Sequence, residues 1–369
     1  MRLTSLSLEQ FRSYDRISLD FSDTNRLVFV GENGAGKTNL VEAISFLSVG
    51  RSCLRAKPED ALRWGTDFFR MTAGTRSDED EESSVEYVFQ QSPRRQSAMF
   101  IRDVRTPLLQ FIGALPTIVF LPQDLDIFTG SPSMRRSFLD VLLSQLKPDY
   151  AAKRIEYERV LKQRNAVLSR IADHEAGLDD LSLWDGRLAE IGAGLILLRD
   201  EMIVLFNRSL QKTIADLGET EWNDVRMMHD RKTRETEVAA IEAEMRQLLL
   251  AARDRDLVLC STTVGPHRDD WHLQALGHNV SLFASRGQQR AAFIALLLTS
   301  ALLFKEVRGE RPVILLDDVL SELDCHHQKA LLSSLEGHQV FITTTHSVSL
   351  EQKCEVWEVG EGNVRKTSS

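Results

Sequence analysis

Gly31-Glu32-Asn33-Gly34-Ala35-Gly36-Lys37-Thr38 decides the reading of this chain. It satisfies the pattern G-x-x-x-x-G-K-[ST] at every fixed position. Glycines let the backbone curl so that several N–H groups face inward, toward phosphate oxygens. A helix beginning near Lys37 adds the positive end of its dipole. The Lys37 ammonium then reaches the terminal phosphates, and the Thr38 hydroxyl ligates Mg²⁺. The plain alternative is a tight strand-to-helix turn with a chance lysine. The flanks argue against it. Leu27 to Val30 is a short apolar strand just before the loop, and Asn39 to Leu47 follows with Leu40, Ile44 and Leu47 on one helical face. ATP and Mg²⁺ are the cofactors this segment implies.

A second segment supplies the acids that a metal–phosphate site needs. Val313-Ile314-Leu315-Leu316-Asp317-Asp318 is an apolar strand ending in two carboxylates. A buried parallel strand delivers such a pair to the carboxyl edge of a sheet, where ligands bind in open α/β folds. Adjacent carboxylates repel unless a cation or a shared proton compensates. Asp317 is assigned to Mg²⁺ and Asp318 to the attacking water. An ordinary strand end with a solvated acidic turn would read the same in isolation, but the phosphate cradle lies in the same chain.

Working outward from these two segments, the chain divides into three stretches. Residues 1–130 open with alternating Ile17, Leu19 and Phe21, then the cradle, then short strands and turns from Phe68 to Val119. The acidic run Asp78 to Glu82 reads as a solvated hairpin tip. Residues 131–256 change character, with few glycines and helical apolar spacing at Val160, Leu161, Val167, Leu168 and Ile171. Glu156, Arg159, Lys162 and Arg164 fill the polar face. Residues 257–369 return to strands, at Arg311 to Leu316 and Val340 to Thr345. The expected architecture is one α/β nucleotide-binding head made of two sequence-distant pieces, with an all-helical lobe inserted between them.

Composition sets broad limits. The 369 residues are 43% apolar and 27% charged, an ordinary globular balance. No run of 18 apolar residues suggests a membrane span, and Met1 to Leu6 lacks a signal-peptide core, so the expected compartment is the cytoplasm. Cys53, Cys260, Cys325 and Cys354 are scattered, without metal-ligand or disulfide spacing. The formal charge of −9 counts mildly against a nucleic-acid partner, although binding depends on local patches.

A third segment is Phe283-Ala284-Ser285-Arg286-Gly287-Gln288-Gln289-Arg290, running into an apolar helix. A simple helix N-cap at Ser285 is its bland reading. It also resembles the L-S-G-G-Q signature of the ABC ATPases, with Ser285, Gly287 and Gln288 matching and Arg286 in place of the first glycine. That resemblance implies an anion site acting in trans, in which the signature of one subunit touches the γ-phosphate held by the other. An ATP-dependent homodimer follows from it. The same resemblance assigns a D-loop to Ser321-Glu322-Leu323-Asp324, a Q-loop metal and water ligand to Gln123, and a switch histidine to His346.

The ~250 residues between Lys37 and Ser285 are more than a transporter subunit carries, and the insert is similar to the SMC-like branch that acts on DNA. Gly130 to Asp140, with its doubled Arg135-Arg136, and Gly265-Pro266-His267-Arg268-Asp269-Asp270 are not general ABC features. Together with Leu8 to Tyr14 at the start, they make the chain resemble the RecF family. Gln123 stands where that family often carries an acid, and His346 is absent from many members. The resemblance implies a recombination and repair mediator that binds double-stranded and gapped DNA as an ATP-bound dimer. RecO- and RecR-like partners would help it load the RecA recombinase, with no membrane involved, and slow hydrolysis would release it. A transporter ATPase subunit and an ATP-glued structural module without turnover are the alternatives. Arg51, Arg55, Lys57, Arg94 and Arg95 are the candidate DNA contacts, with Arg102, Arg105, Arg135 and Arg136 behind them. Arg135 and Arg136 could serve the nucleotide instead. Phe11 and Arg12 are weighed as neighbours of the adenine.

Overall fold

The computed structural model describes all residues except 22–23, 220, 346–353 and 368–369. The chain forms two compact units. The first takes Met1–Asp126, Thr213–Glu219 and the described residues from Arg286 onward; the second takes Ile127–Lys212 and the described residues from 221 to Ser285.

The first unit contains two six-stranded sheets. In the mixed sheet, Arg26–Val30 lies between Glu355–Gly360 and Val340–Thr344, parallel to both. Val313–Asp317 comes next, paired in parallel with Val340–Thr344 on one side and Thr117–Phe120 on the other. Asn363–Lys366 closes the opposite edge antiparallel. Val313–Asp317 and Val340–Thr344 are buried at every position, the expected state of central strands covered on both faces. The helix Lys37–Val49 follows the cradle and is buried along most of its length.

The second sheet is antiparallel and begins Tyr14–Asp20, Arg2–Phe11, Phe68–Arg76, Glu82–Gln90. Its alternating inward residues build an aromatic core with Phe46 of the helix Lys37–Val49, in which Phe11, Phe46, Phe69, Tyr87 and Phe89 touch edge-on, tilted or stacked. The acidic run sits at a hairpin tip, as its composition suggests. Asp78, although exposed, also serves as an anchor. It accepts from the Met1 amino group, from the Arg311 N–H at 3.2 Å and from Lys305 at 3.4 Å.

The second unit corrects the expected all-helical lobe. It has helices at Pro132–Leu146, Pro148–Ala172, Val238–Ala251 and Arg253–Leu259, and it takes most of Asp180–Asp216. It also has a three-stranded antiparallel sheet, Arg226–Asp230, Asp270–Ala275 and His278–Asn279. The lobe therefore runs to Ser285 and not to 256, and Thr213–Glu219 returns to the first unit. Arg226-Met227-Met228-His229-Asp230 contains no β-branched residue and buries only Met227 fully, which hid the strand.

Arg164 is the second surprise, because it leaves the polar face and becomes the electrostatic centre of this unit. It is fully buried and donates to Asp185 at 2.7 Å, Asp256 at 2.7 Å and Thr262 at 2.8 Å. Among the described residues, no helix is long and apolar enough to cross a membrane.

Candidate functional site

The phosphate loop leaves the carboxyl end of the central strand Arg26–Val30 and enters the helix that begins at Lys37. Two glycines are dictated by their surroundings. A Cβ on Gly31 would come within 2.2 Å of the Val359 carbonyl oxygen. Gly36 adopts φ 110°, where side chains are strained, and a Cβ there would meet the Ser13 Oγ at 2.8 Å and the Tyr14 Oη at 2.9 Å. Tyr14 is buried and donates to the Gly36 carbonyl at 3.0 Å, so the β-hairpin before the cradle supports it from behind. Glu32, Asn33 and Gly34 form the exposed rim of the loop, and Ala35 is half-buried.

Lys37 folds over this loop and donates from Nζ to the Gly31 carbonyl at 2.7 Å and the Glu32 carbonyl at 2.8 Å. Burial lowers its pKa, while the charges of Asp318 and Asp317 act the other way. Thr38 donates to the Asp317 Oδ2 at 2.8 Å. The sheet order explains that contact: Val340–Thr344 is the one strand between the cradle strand and the Asp317 strand, and all three end on the same edge. Thr343 from that middle strand donates to the other Asp317 oxygen at 2.6 Å and accepts from the Asp318 N–H at 3.0 Å. Sequence reasoning missed Thr343. Its signal was the Thr343-Thr344 pair at the end of an otherwise apolar strand.

Asp318 stands at φ 48°, a left-handed backbone uncommon for a residue with a side chain. Its Oδ1 is buried and has no hydrogen-bond partner among the described residues. An orphaned carboxylate oxygen beside Asp317 and Thr38 is a donor set suited to a hard cation and its water. Among the described residues no cluster of three His, Cys, Asp or Glu side chains forms a ready metal cage. Mg²⁺ held through one or two carboxylates and the nucleotide's own phosphates needs none. The residues present therefore fit Mg²⁺–ATP.

The remaining assignments fall out unevenly. Ser321 donates to the Asp318 carbonyl at 2.6 Å, joining the D-loop to the acid pair. Asp324 caps the helix Cys325–Ser334, accepting from the His327 N–H at 2.9 Å and pairing with its ring at 2.7 Å. Gln123 is exposed on the short 3-10 helix Pro122–Ile127, and its side chain makes no hydrogen bond among the described residues. Its neighbour Asp124, which the sequence reading passed over, accepts from the Leu121 N–H at 3.0 Å. Burial pushes its carboxyl up to about 6, against the pull of that N–H and of Arg55. His346 lies outside the described residues.

Ser285 ends the second unit and Gly287 and Gln288 begin the helix Arg286–Arg308 of the first. Ser285 and Gly287 are exposed, and Gln288 donates to Glu219 at 3.4 Å. Burial pushes the Cys53 thiol up to about 12, so it stays protonated and inert.

Arg51, Arg55, Lys57, Arg94 and Arg95 are all exposed, as are Arg102 and Arg105. Arg95 pairs with Glu59 at 2.8 Å. Arg135 is withdrawn from the DNA and nucleotide candidates. Its guanidinium is consumed by Asp270 at 2.7 and 2.8 Å and by the carbonyls of Ile127, Phe128 and Gly130. Arg136 donates to the Asp269 carbonyl at 2.9 Å and lines a cavity of about 240 Å³ with Ser133, Arg199 and His267. The doubled arginine and the Gly-Pro-His-Arg-Asp-Asp segment thus hold each other.

Phe11 and Arg12 are both engaged inside the fold. The Phe11 ring is fully buried in the aromatic core. Arg12 grips the buried Glu42 through two bonds of 2.7 Å.

A phosphate loop, a strand-borne acid pair and a distant signature-like helix start, on a mixed sheet with an inserted lobe, define the head of an ABC-type ATPase. An SMC head structure shares this fold at TM-score 0.56 and 14% identity. The RecF/RecN/SMC N terminal domain family matches residues 2–366, and the chain belongs to the RecF family. It is 31% identical over 355 residues to the DNA replication and repair protein RecF of Caldanaerobacter subterraneus subsp. tengcongensis, covering 96% of this chain and 97% of that one. It is 32% identical over 378 residues to the protein of the same name from Enterococcus faecalis, covering both in full. A solved structure of the recombination mediator protein RecF with ATPrS, in the RecFOR pathway, superimposes at TM-score 0.91 with 29% identity, covering 100% of this chain and 98% of that one. The transporter reading is left without support.

Proposed function

We propose that this chain is a cytoplasmic, ATP-dependent recombination mediator that dimerises around two nucleotides and clamps DNA near single-strand gaps. The contact between Thr38 and Asp317 carries the reading, because it joins the two halves of a Mg²⁺–nucleotide site from opposite ends of the sequence. The loop N–H groups and Lys37 would hold the phosphates. Thr38 and Asp317 would hold Mg²⁺, which when bound neutralises charge on the terminal phosphates. Asp318 orients and polarises the attacking water, with Gln123 and His346 as further candidates for that task. The relatives with ATP and ATPrS support the nucleotide, and the RecFOR name of those structures supports RecO- and RecR-like partners upstream of RecA.

The signature residues Ser285, Gly287 and Gln288 would complete the site of a second subunit. The exposure of Ser285 and Gly287 suits an interface that forms only with nucleotide. Hydrolysis removes the phosphate that both subunits grip, so slow turnover acts as a release switch. DNA binding through exposed Arg and Lys is sequence-independent and salt-sensitive. The test is DNA-stimulated ATP turnover by wild type and Lys37→Ala. Loss in the variant is expected, and equal rates would overturn the site assignment.

A further inference from the structure

The side chain of Trp64 is 99% exposed, while Phe68, four residues on, is 39% exposed. An isolated aromatic this open is not contributing to the core, and it is not on a frayed end. Arg63-Trp64-Gly65-Thr66 is a tight turn closed by Thr66 N–H to the Arg63 carbonyl at 3.2 Å, with Gly65 at φ 84° as such a turn requires. The turn is pinned on both sides. Arg63 donates from its N–H to the Gln10 carbonyl at 3.0 Å and from Nη1 to the Ser13 carbonyl at 3.0 Å, and the Thr66 hydroxyl donates to the Arg63 carbonyl at 2.8 Å. A rigid mount therefore presents nearly the whole indole, with both ring faces open.

The surroundings choose the occupant. Gln91 N–H bonds the Asp67 carbonyl at 2.7 Å, and Arg95 pairs with Glu59 at 2.8 Å. These two contacts bring the hairpin tip between Glu82–Gln90 and Gln96–Ile101 against both flanks of the Trp64 turn. That tip carries Arg94, exposed and without an ion pair or hydrogen bond among the described residues. Lys57, on the other flank, is exposed and without an ion pair there too. A docking protein would want a broad apolar patch, whereas here two aromatics stand among charges. A flat π surface beside unneutralised cations is the arrangement that takes a nucleic-acid base and its phosphate.

We propose that Trp64 stacks on an unpaired DNA base while Arg94 and Lys57 hold the adjoining phosphates, so that this turn reads the single-stranded side of a gap. The inference rests on the proposed DNA-binding reading and adds to it a specific reader of unpaired bases. Intact duplex keeps its bases inside the stack and offers Trp64 nothing but its backbone.

The experiment uses the full chain with ATP and two fluorescent duplexes, one intact and one with a short gap carrying 2-aminopurine in the unpaired stretch. Wild type should quench the 2-aminopurine. Trp64→Ala should abolish the quenching and weaken gapped-DNA binding about tenfold, with duplex affinity and its salt slope unchanged. Trp64→Phe should restore most of both. The chain's own fluorescence gives an independent readout. Of its five tryptophans, Trp222, Trp271 and Trp357 are buried and Trp184 is half-buried, so the fully open Trp64 should dominate quenching by gapped DNA. Equal loss on both duplexes, or unchanged gap binding with loss of a protein partner, would overturn the inference. Wild type that binds neither duplex would instead defeat the DNA-binding reading on which it stands.

Discussion

Thr38 Oγ1 and Asp317 Oδ2 lie 2.8 Å apart, although 279 positions separate them in the chain. Thr343 occupies the second Asp317 oxygen. The carboxylate is thus aimed by two hydroxyls, and Asp318 beside it keeps one buried oxygen unpartnered. The division of labour proposed above gives Asp317 the cation and Asp318 the water. Asp318→Asn should bind ATP and dimerise while hydrolysis falls by about 100-fold or more. Asp317→Ala should lose both Mg²⁺-dependent nucleotide binding and turnover. Equilibrium dialysis with labelled ATP, alongside phosphate release, checks the split; identical behaviour of the two variants would contradict it.

Arg12 and the fully buried Glu42 form a structural pair that Ser52 also joins. Removing one partner leaves a charge in the core, which costs about 3–5 kcal/mol. Arg12→Ala should therefore lower the unfolding midpoint strongly, and Arg12→Lys should recover only part of it because two parallel bonds become one. Thermal denaturation without nucleotide measures this. A variant as stable as wild type would return Arg12 to the list of ligand contacts.

Arg135 makes the same point in the second unit. Its bonds to Asp270 and to three carbonyls engage each of its three guanidinium nitrogens within the fold. Arg135→Ala should destabilise the fold while duplex affinity, measured at a temperature where the variant is folded, stays close to wild type. A selective loss of DNA binding in a fully stable variant would refute this reading.

His267 makes stability depend on pH. Burial lowers its pKa from the ordinary 6.5 to about 4, with nearby Arg268 adding to the effect and its bond to the Thr262 carbonyl opposing it. The folded state holds a neutral ring, and the unfolded chain takes up a proton. This group's contribution is complete above pH 6.5 and is lost as pH falls toward 4. Asp269, pushed up to about 6 by burial, works in the opposite sense, gaining stability as pH falls from 6 toward 4. His267→Asn removes the first effect and keeps the second. Between pH 6.5 and 4.5 its urea midpoint should fall less steeply than that of wild type, and parallel curves would contradict the assignment.

The two nucleotide-site segments were legible because each is local. A curled glycine loop and an apolar strand ending in acids declare their chemistry within eight residues. What stayed hidden depends on distant partners. Arg164 looks like a solvated cation until Asp185 and Asp256 arrive from 21 and 92 positions away. Phe11 looks like a ligand neighbour until Phe46 and Phe69 close over it. The lobe's sheet escaped because its first strand is rich in methionine and charge and pairs with residues 40 to 48 positions on. Trp64 escaped because nothing in a sequence distinguishes a buried tryptophan from one standing alone.

The central claim is that two chains share each triphosphate, Lys37 from one and Ser285 from the other. Light scattering of wild type and Ser285→Arg, each with ATP and with ADP, tests it most directly. Wild type should double in mass with ATP alone, and Ser285→Arg should still bind ATP yet remain a monomer. A wild-type mass that ignores ATP, or an ordinary dimer peak from Ser285→Arg, would contradict the account.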